Sequence, residues 1–402
     1  MLDKIDKKVN EVGKRVRKFR REIHRNPELS GLEEKTAAFV AGVLEDNDIE
    51  VRRNVGGYGV VGLLRGGKKG KTIAFRADMD ALPLQETSTA EYASCVPGVM
   101  HACGHDVHTA ILMGTAIVLA SLRDELKGNV KFIFQPSEER GSAGAKTMIR
   151  DGALKNPKPA MIAALHCFPE VQVGQISHRA GPMTALADRI RIVVKGKGGH
   201  ASRPHQTVDA VLGASMVINA IHHLVSRRTN PLHQTVISIC TIKGGEAANI
   251  IADYVEMEGT VRTLDEKSRE EMPALIEETV RGVTMSVGAD YEFEYEYGTP
   301  SVVNDAQVDL LIKESAIEVL GETNVHYMPN PLMGAEDFAY FTQKIPGALF
   351  RIGTGNKEKG ITSSLHNPNF DVDEDVLDIG AKLLSLMAFR FLSGTGGAGG
   401  AK

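Results

Sequence analysis

Cysteine is scarce in this chain. Cys95, Cys103, Cys167 and Cys240 are the four cysteines among 402 residues, too sparse for a disulfide framework. They fit a reducing cytoplasm, where a thiolate ligand survives best. Long apolar runs are missing too: none reaches the ~18 residues that a membrane span needs. The amino-terminal stretch MLDKIDKKVNEVGKRVRKFRREIHR is highly charged and lacks the apolar segment of a signal peptide. Nor does one sign of charge dominate. A net charge of −4 gives no reason to expect nucleic acid or an anionic membrane as partner. What is left, 42% hydrophobic and 24% charged residues, is ordinary for a soluble globular protein. The length exceeds a single core, so two domains are expected.

Hydrophobic spacing predicts the elements. Ile5, Val9, Val12, Val16, Phe19 and Ile23 share one face of a helix over residues 4–25, which Asn26-Pro27 stops. A second helix is expected over about 32–45. Apolar runs at 60–64, 72–75, 129–134 and 160–165 read as strands, and a helical pattern surrounds Ala145, Met148 and Ile149. Strands alternating with helices argue a mostly parallel α/β sheet, in which ligands bind beyond the carboxyl ends of strands. After about residue 179 the pattern changes. Strands at 188–194, 235–242, 253–263 and 291–297, with helices at 206–225 and 266–287, give the order βαββαβ of a ferredoxin-like unit. Helices near 306–320, 336–342 and 373–391 and a strand at 349–352 return to α/β. The expected division is discontinuous: 1–179 and 299–393 form the catalytic metal-binding domain, 180–298 an inserted domain, and the Gly-rich 394–402 a flexible tail.

The chain is organised around MHACGHDVHTA, residues 100–110. Cys103 and His105 are of the types that bind borderline metals such as zinc, and Gly104 lets the backbone turn tightly between them. Ile111, Leu112, Val118 and Leu119 continue at helical spacing, a rigid mount for such a loop. Other polar groups fall at strand ends: Asp78 and Asp80 after 72–75, Glu138 and Glu139 after 129–134, and His166 after 160–165, with His366 in a later loop. Two metal ions about 3.5–4 Å apart need roughly this set of Cys, His and carboxylate ligands. Each residue alone has a plainer reading. Adjacent glutamates are usually a solvated face, and a histidine after an apolar run is more often a satisfied core residue; His108 and His178 are left to that reading. Yet two glutamates at one strand end can divide labour, one binding metal and one acting as base.

The segments MHACGHDVHTA, QPSEE, ALHCFP, GKGGHASRPH, AANIIAD, GTVRT, MGAEDFAYF and LHNPNFDVDE occur in this order. Together they resemble the binuclear metal-dependent amidohydrolase and carboxypeptidase family of aminoacylases, hippurate hydrolases and auxin-conjugate hydrolases. The resemblance covers essentially the whole chain. It is nearest the branch in which a Cys-Gly-His loop supplies ligands; related branches use a His-x-Asp segment, and here that position reads Asp78-Met79-Asp80. The resemblance implies metal ligands Cys103, His105, Glu139, His166 and His366, with Glu138 as general base and Asp78 and Asp80 as support behind the ligands. It also implies that the inserted domain carries the contact of a homodimer, or of a dimer of dimers, and covers the active site. By the same resemblance His200 would reach the partner subunit's site and stabilise an oxyanion. A substrate carboxylate calls for a planar bidentate donor, which Arg262 offers, and Asn249 would help bind the same group. The loop holding Glu336 and Asp337 looks close to the site, without an assigned role.

The expected reaction is hydrolysis of an N-acyl amino acid (acetyl, benzoyl or similar) or a short peptide to an acid and a free amino acid. Two divalent ions per subunit would polarise the amide carbonyl and lower the pKa of a bound water toward ~7, from ~15.7 in bulk. Zinc suits thiolate and imidazole, and manganese, cobalt and nickel also fit. Glu138 would take the water's proton and deliver it to the leaving amine. Rival readings are a Cys103 nucleophile, a zinc phosphatase, an aminopeptidase or carboxypeptidase of the same type, and a non-catalytic metal- or ligand-binding relative. Glu138 argues against a binder, which has no use for a free carboxylate beside the ligands. Arg262 and His200 argue against an aminopeptidase, whose substrate amine calls for an acid.

Overall fold

The computed structural model describes residues 1–140 and 143–394; the expected tail lies outside them from residue 395. Two compact units divide the chain. One holds Met1–Met183, Val302–Asn330 and the chain from Asp337, the other Thr184–Ser301 and Pro331–Glu336. In chain order the first unit opens with α1 (Leu2–Arg25), α2 (Glu34–Glu45), β1 (Glu50–Arg52), β2 (Val60–Arg65), β3 (Lys68–Asp78), α3 (His105–Ser121), β4 (Lys127–Gln135), α4 (Ala143–Arg150), β5 (Met161–Gln172), β6 (Ile176–His178) and β7 (Gly181–Pro182). The second unit supplies β8 (Leu186–Lys195), β9 (Gly199–His200), α5 (Ala210–Arg227), β10 (Thr235–Gly244), β11 (Ile250–Ile251), β12 (Tyr254–Thr263), α6 (Glu266–Ser286) and β13 (Asp290–Thr299). The first unit resumes with β14 (Val303–Asn304), α7 (Ala306–Leu320), β15 (Val325–Tyr327), α8 (Ala339–Thr342), β16 (Gly347–Gly355) and α9 (Asp375–Ser393).

Among the described residues the first unit is built on an eight-stranded sheet in the order β1-β2-β4-β3-β5-β16-β6-β15. The central strands β4, β3, β5 and β16 run parallel, as alternating strands and helices predict. Antiparallel pairs join β1 to β2, β2 to β4 and β6 to β16. β1, β6 and β15 have no counterpart among the expected strands, because three residues each are too few to show a period. The helix expected at 336–342 shrinks to α8, Ala339–Thr342. The chain passes from the second unit to the first between Glu336 and Asp337, so the turn before α8 is spent on that crossing.

Two helices show how sequence pattern sets depth. α1 buries one stripe, including Ile5, Val9, Val16, Phe19 and Ile23. α3 is apolar almost all round, and every residue from His105 to Leu119 is buried, the mark of an interior helix. It packs between α1 and α9. Thr109 Oγ1 donates to the Asp78 carbonyl at 2.7 Å, which fixes the start of α3 against the end of β3. Gly104, at φ +83°, makes the turn before α3, and a Cβ there would lie 2.7 Å from Cys167 Sγ. Both the left-handed turn and the close approach require glycine.

The second unit has the order β8-α5-β10-β12-α6-β13, with a small β9–β11 pair added. Its four strands form an antiparallel sheet in the order β10-β12-β8-β13, the ferredoxin-like arrangement expected. Alternate residues Ile190, Ile192 and Val194 of β8 and Val255, Met257 and Val261 of β12 face a core shared with α5 and α6. One charge is buried on that side. Asp188 accepts from Arg269 Nε at 3.0 Å and Nη2 at 2.6 Å, from Tyr295 Oη at 2.8 Å and from the Gly298 amide at 2.8 Å. Removing one partner of such a pair leaves a buried charge uncompensated, which costs roughly 3–5 kcal/mol. Asp188→Ala is therefore expected to destabilise this unit by about that amount, as read from urea unfolding and from faster amide exchange across 184–301. Unchanged exchange there would show that the cluster does not hold the unit together.

Candidate active site

Five strands and loops of the first unit converge on one space, buried around Cys103, His105 and His166, half-buried at Glu138 and Glu139, and open at His366, whose side chain is 54% exposed. β3 delivers Asp78 and, two residues on, Asp80. The glycine turn and first residue of α3 deliver Cys103 and His105, the loop after β4 delivers Glu138 and Glu139, β5 delivers His166, and the loop after β16 delivers His366. The ligand atoms of Cys103, His105 and His166 lie within 4.8 Å of one another; so do those of Cys103, Glu139 and His366, and those of His105, Glu138 and Glu139. The three groups interlock through Cys103, His105 and Glu139. His366 sits at φ +60°, a left-handed conformation that costs a non-glycine residue energy. Its amide donates to the Ala102 carbonyl at 2.8 Å, which helps hold it there.

The spacing tests whether these residues fit metal. His166 Nε2 and His366 Nε2 stand 3.6 and 3.3 Å from Cys103 Sγ. Glu139 Oε1 lies 3.5 Å from His366 Nε2 and 3.9 Å from His105 Nε2. The two carboxylate–imidazole separations are long for charge-assisted hydrogen bonds. They suit donors that share an ion, since tetrahedral N and S ligands stand roughly 3.3–3.8 Å apart. Glu139 Oε1 and His105 Nε2 are also buried without a hydrogen-bond partner among the described residues. The imidazoles are turned accordingly. His105 Nδ1 donates to the Asp80 carbonyl at 2.9 Å and His166 Nδ1 to the Cys167 carbonyl at 2.8 Å. A carbonyl only accepts, so each Nδ1 carries a proton and Nε2 is the nitrogen left facing the shared space. The residues fit divalent metal.

Asp78 and Asp80 lie behind these ligands. Burial alone would raise Asp78, but Arg76, His105 and His108 outweigh it and hold the carboxylate well below its ordinary range. Burial likewise works against Asp80, which His105 and Ser30 hold below its ordinary range. Asp78 accepts from Arg76 Nη1 and from His108 Nδ1, both at 2.6 Å. His108 Nε2 accepts from the Cys167 amide at 2.8 Å, so both its nitrogens are engaged in holding the site. Asp80 accepts from Ser30 Oγ at 2.6 Å and from the amides of Glu138 and Glu139 at 3.1 and 3.0 Å. Sequence reasoning missed several supports. Asp337 accepts from Arg76, Gln135 and the Ala145 amide. Buried Arg20 of α1 bonds Asp106 at 2.8 Å and Asp371 at 3.1 Å, tying α3 to the loop that carries His366. None of these had a local signal, because their partners lie tens to hundreds of residues away.

The second unit holds the other candidates. His200 Nδ1 accepts from the Ser202 amide at 3.1 Å, so the neutral ring carries its proton on Nε2. His200 pairs with Ile250, and the Asn249 carbonyl accepts from the Ala201 amide, which places Asn249 beside His200. Arg262 is elsewhere. It pairs with Ala187, whereas Tyr254 at the other end of β12 pairs with Lys195, on the side where His200 follows. Eight residues of strand span on the order of 26 Å. Asn249 and Arg262 of a single chain therefore do not grip one carboxylate; to bind the same group they would have to come from two copies. Arg262 is half-buried and makes no hydrogen bond or ion pair among the described residues; burial lowers its pKa.

Burial pushes the Cys103 thiol above its ordinary range, so the metal-free protein holds it protonated, while a ligand must be a thiolate. Metal uptake is thus expected to release protons and to tighten as pH rises. Calorimetry in two buffers of different ionisation enthalpy counts them; binding without proton release would place Cys103 outside the metal set.

The model of peptidase family M20/M25/M40 matches residues 74–390. Thermostable carboxypeptidase 2 of Saccharolobus solfataricus is 41% identical over 394 residues, covering 97% of this chain and 99% of that protein. N-acetylcysteine deacetylase of Bacillus subtilis is 39% identical over 376 residues, covering 93% and 96%. The crystal structure of Bacillus subtilis YXEP, described as a dinuclear metal-binding peptidase of the M20 family, aligns with a TM-score of 0.82 at 34% identity over 96% of this chain and 99% of its own. With a matching fold and a ligand set that fits metal, the chain belongs to peptidase family M20/M25/M40 and is a metal-dependent hydrolase.

Proposed function

We propose that the protein hydrolyses the amide bond of N-acyl amino acids or short peptides and releases a free amino acid. One observation carries the reading: Glu138 and Glu139 leave a single loop beside Cys103, His105, His166 and His366, so that a base and a ligand stand side by side. Likeness to a deacetylase and a carboxypeptidase supports the substrate class. Cys103, His105, Glu139, His166 and His366 would hold two divalent ions; thiolate with imidazole favours zinc over manganese, cobalt or nickel. When bound, such ions supply Lewis acidity toward the amide carbonyl and toward water. Glu138 accepts the proton of water as its oxygen attacks the carbonyl carbon. It then gives that proton to the amine nitrogen as the C–N bond breaks. The His200 Nε2 proton suits a developing oxyanion, and Arg262 suits the carboxylate of the amino-acid half. The four cysteines are all unpaired, which accords with a cytoplasmic setting; among the described residues no helix is long and apolar enough to cross a membrane.

A homodimer through the second unit completes the proposal. β10 is an edge strand, and Val236 and Ile242 on it, with Val211, Leu212 and Met216 on α5, are exposed. Unpaired edges and exposed apolar side chains invite a second copy. The span between His200 and Arg262 supports the same view, since a small amide substrate cannot touch both ends of β12 in one chain.

The test is a panel of acetyl, benzoyl and other N-acyl amino acids and dipeptides against enzyme loaded with each metal; no turnover of any would overturn the reading. Glu138→Gln should keep its metal and lose about 10²–10⁴-fold in kcat, whereas Glu139→Gln should lose metal. Equal metal loss in both would refute the division of labour. His200→Ala should keep its metal and lose about 10²–10³-fold in turnover. Mixed with Glu138→Gln it should regain activity, because one hybrid site unites an intact Glu138 with an intact His200. Exchanged dimers without rescue would return His200 to its own subunit.

A further inference from the structure

The loop bearing Glu138 and Glu139 is held by its backbone. Ser137, Glu138 and Glu139 present three successive amides, and each donates to a carboxylate. Ser137 N donates to Glu33 Oε1 at 2.8 Å, Glu138 N to Asp80 Oδ1 at 3.1 Å and Glu139 N to Asp80 Oδ2 at 3.0 Å. Ser137 sits at φ +57°. A serine persists in that left-handed conformation only where its surroundings impose it. Successive amides turned the same way form a concavity for anions; here the chain's own acids fill it.

Glu33 Oε1 also accepts from the Ser137 hydroxyl at 3.4 Å. Glu33 stands at the cap position of α2, where Ser, Thr, Asp or Asn is preferred, yet its side chain makes no cap bond. It is fully buried. It lies in the short segment between α1 and α2 that is laid along β3's continuation: Leu29 bridges Ala81, the Ala81 amide donates to the Glu28 carbonyl, and Ser30 Oγ donates to Asp80. That segment thus brings Glu33 to the Ser137 amide, and Ser30 to the Asp80 carboxylate that accepts the next two amides.

We propose that Glu33 is a positioning residue. It holds Ser137 in its left-handed conformation, and through that hinge it aims Glu138 at the reacting water while Glu139 faces the metals. The role rests on the functional reading above and extends it to a residue that touches neither metal nor substrate. Reach, rather than charge, is what matters. Glu33→Gln keeps an acceptor at the same distance; Glu33→Asp keeps the charge but falls one methylene short; Glu33→Ala has neither.

Two measurements test this, kcat and KM on the best substrate of the panel and amide exchange of residues 137–139 in metal-free and metal-loaded protein. Misplacing a catalytic group by about 1 Å costs on the order of 100-fold. Glu33→Asp and Glu33→Ala should lose about 10–100-fold in kcat at nearly unchanged KM and metal content. Both should exchange the 137–139 amides faster, while Glu33→Gln stays near wild type in both measurements. Glu33→Asp with wild-type kcat per metal-loaded molecule, or with unaltered exchange, would overturn the proposal, as would a Glu33→Gln as impaired as Glu33→Ala. If Glu33→Ala fails to fold, the Asp and Gln pair decides alone. Should the wild type hydrolyse nothing in the panel, the functional reading fails, and unaltered exchange in Glu33→Asp would still sink the tether.

Discussion

Two buried atoms without hydrogen-bond partners among the described residues set the terms for the rest of this molecule. Glu139 Oε1 and His105 Nε2 face each other at 3.9 Å, out of solvent. An unsatisfied buried polar group costs about 1–3 kcal/mol, more when charged, and folding would not gather such groups unaided. The layers around them supply the compensation. α3 is apolar almost all round and buried from His105 to Leu119, and the parallel strands β3, β4 and β5 carry buried apolar runs. The core fixes the backbone, and the candidate ligands stand on its edges.

Carboxylates divide the supporting labour by what donates to them. Asp78 is held by cationic or imidazole donors, Arg76 and His108. Asp80 is held by a hydroxyl and backbone amides, and its own carbonyl fixes the His105 ring. One short stretch, Asp78 to Asp80, therefore sets both the orientation of an imidazole and the course of the glutamate loop. The missing histidine of the His-x-Asp pattern leaves these two acids to support the site, while Cys103 stands among the ligand atoms.

The parts legible in the sequence were those with a local signal. Period fixed α1 and α7, alternation fixed β8 and β12, and position after an apolar run marked Asp78, Glu138, Glu139 and His166. The hidden parts depend on distance along the chain. Glu33 meets Ser137 across 104 residues, and Arg76 meets Asp337 across 261; no window of sequence contains both partners. Cap preference was the one available hint at Glu33, a glutamate where a short polar side chain is favoured. Asn249 and Arg262 show the opposite case. They are near in sequence, but the strand between them is extended and carries them apart within one chain.

That extension constrains how the second unit can serve catalysis. A strand is stiff and long, about 3.3 Å per residue, so β12 cannot bring its two ends together. His200 and Asn249 cluster at one end and Arg262 at the other. A donor for an oxyanion and a donor for a carboxylate only a few bonds away must lie within several ångströms of each other. If both kinds of donor act on one small substrate, they belong to different copies of the chain. The exposed edge of β10 supplies a surface on which a second copy can be held in register, and a sheet continued across that edge would fix the distance between one copy's His200 and the other's Arg262 as rigidly as a single strand fixes it within one.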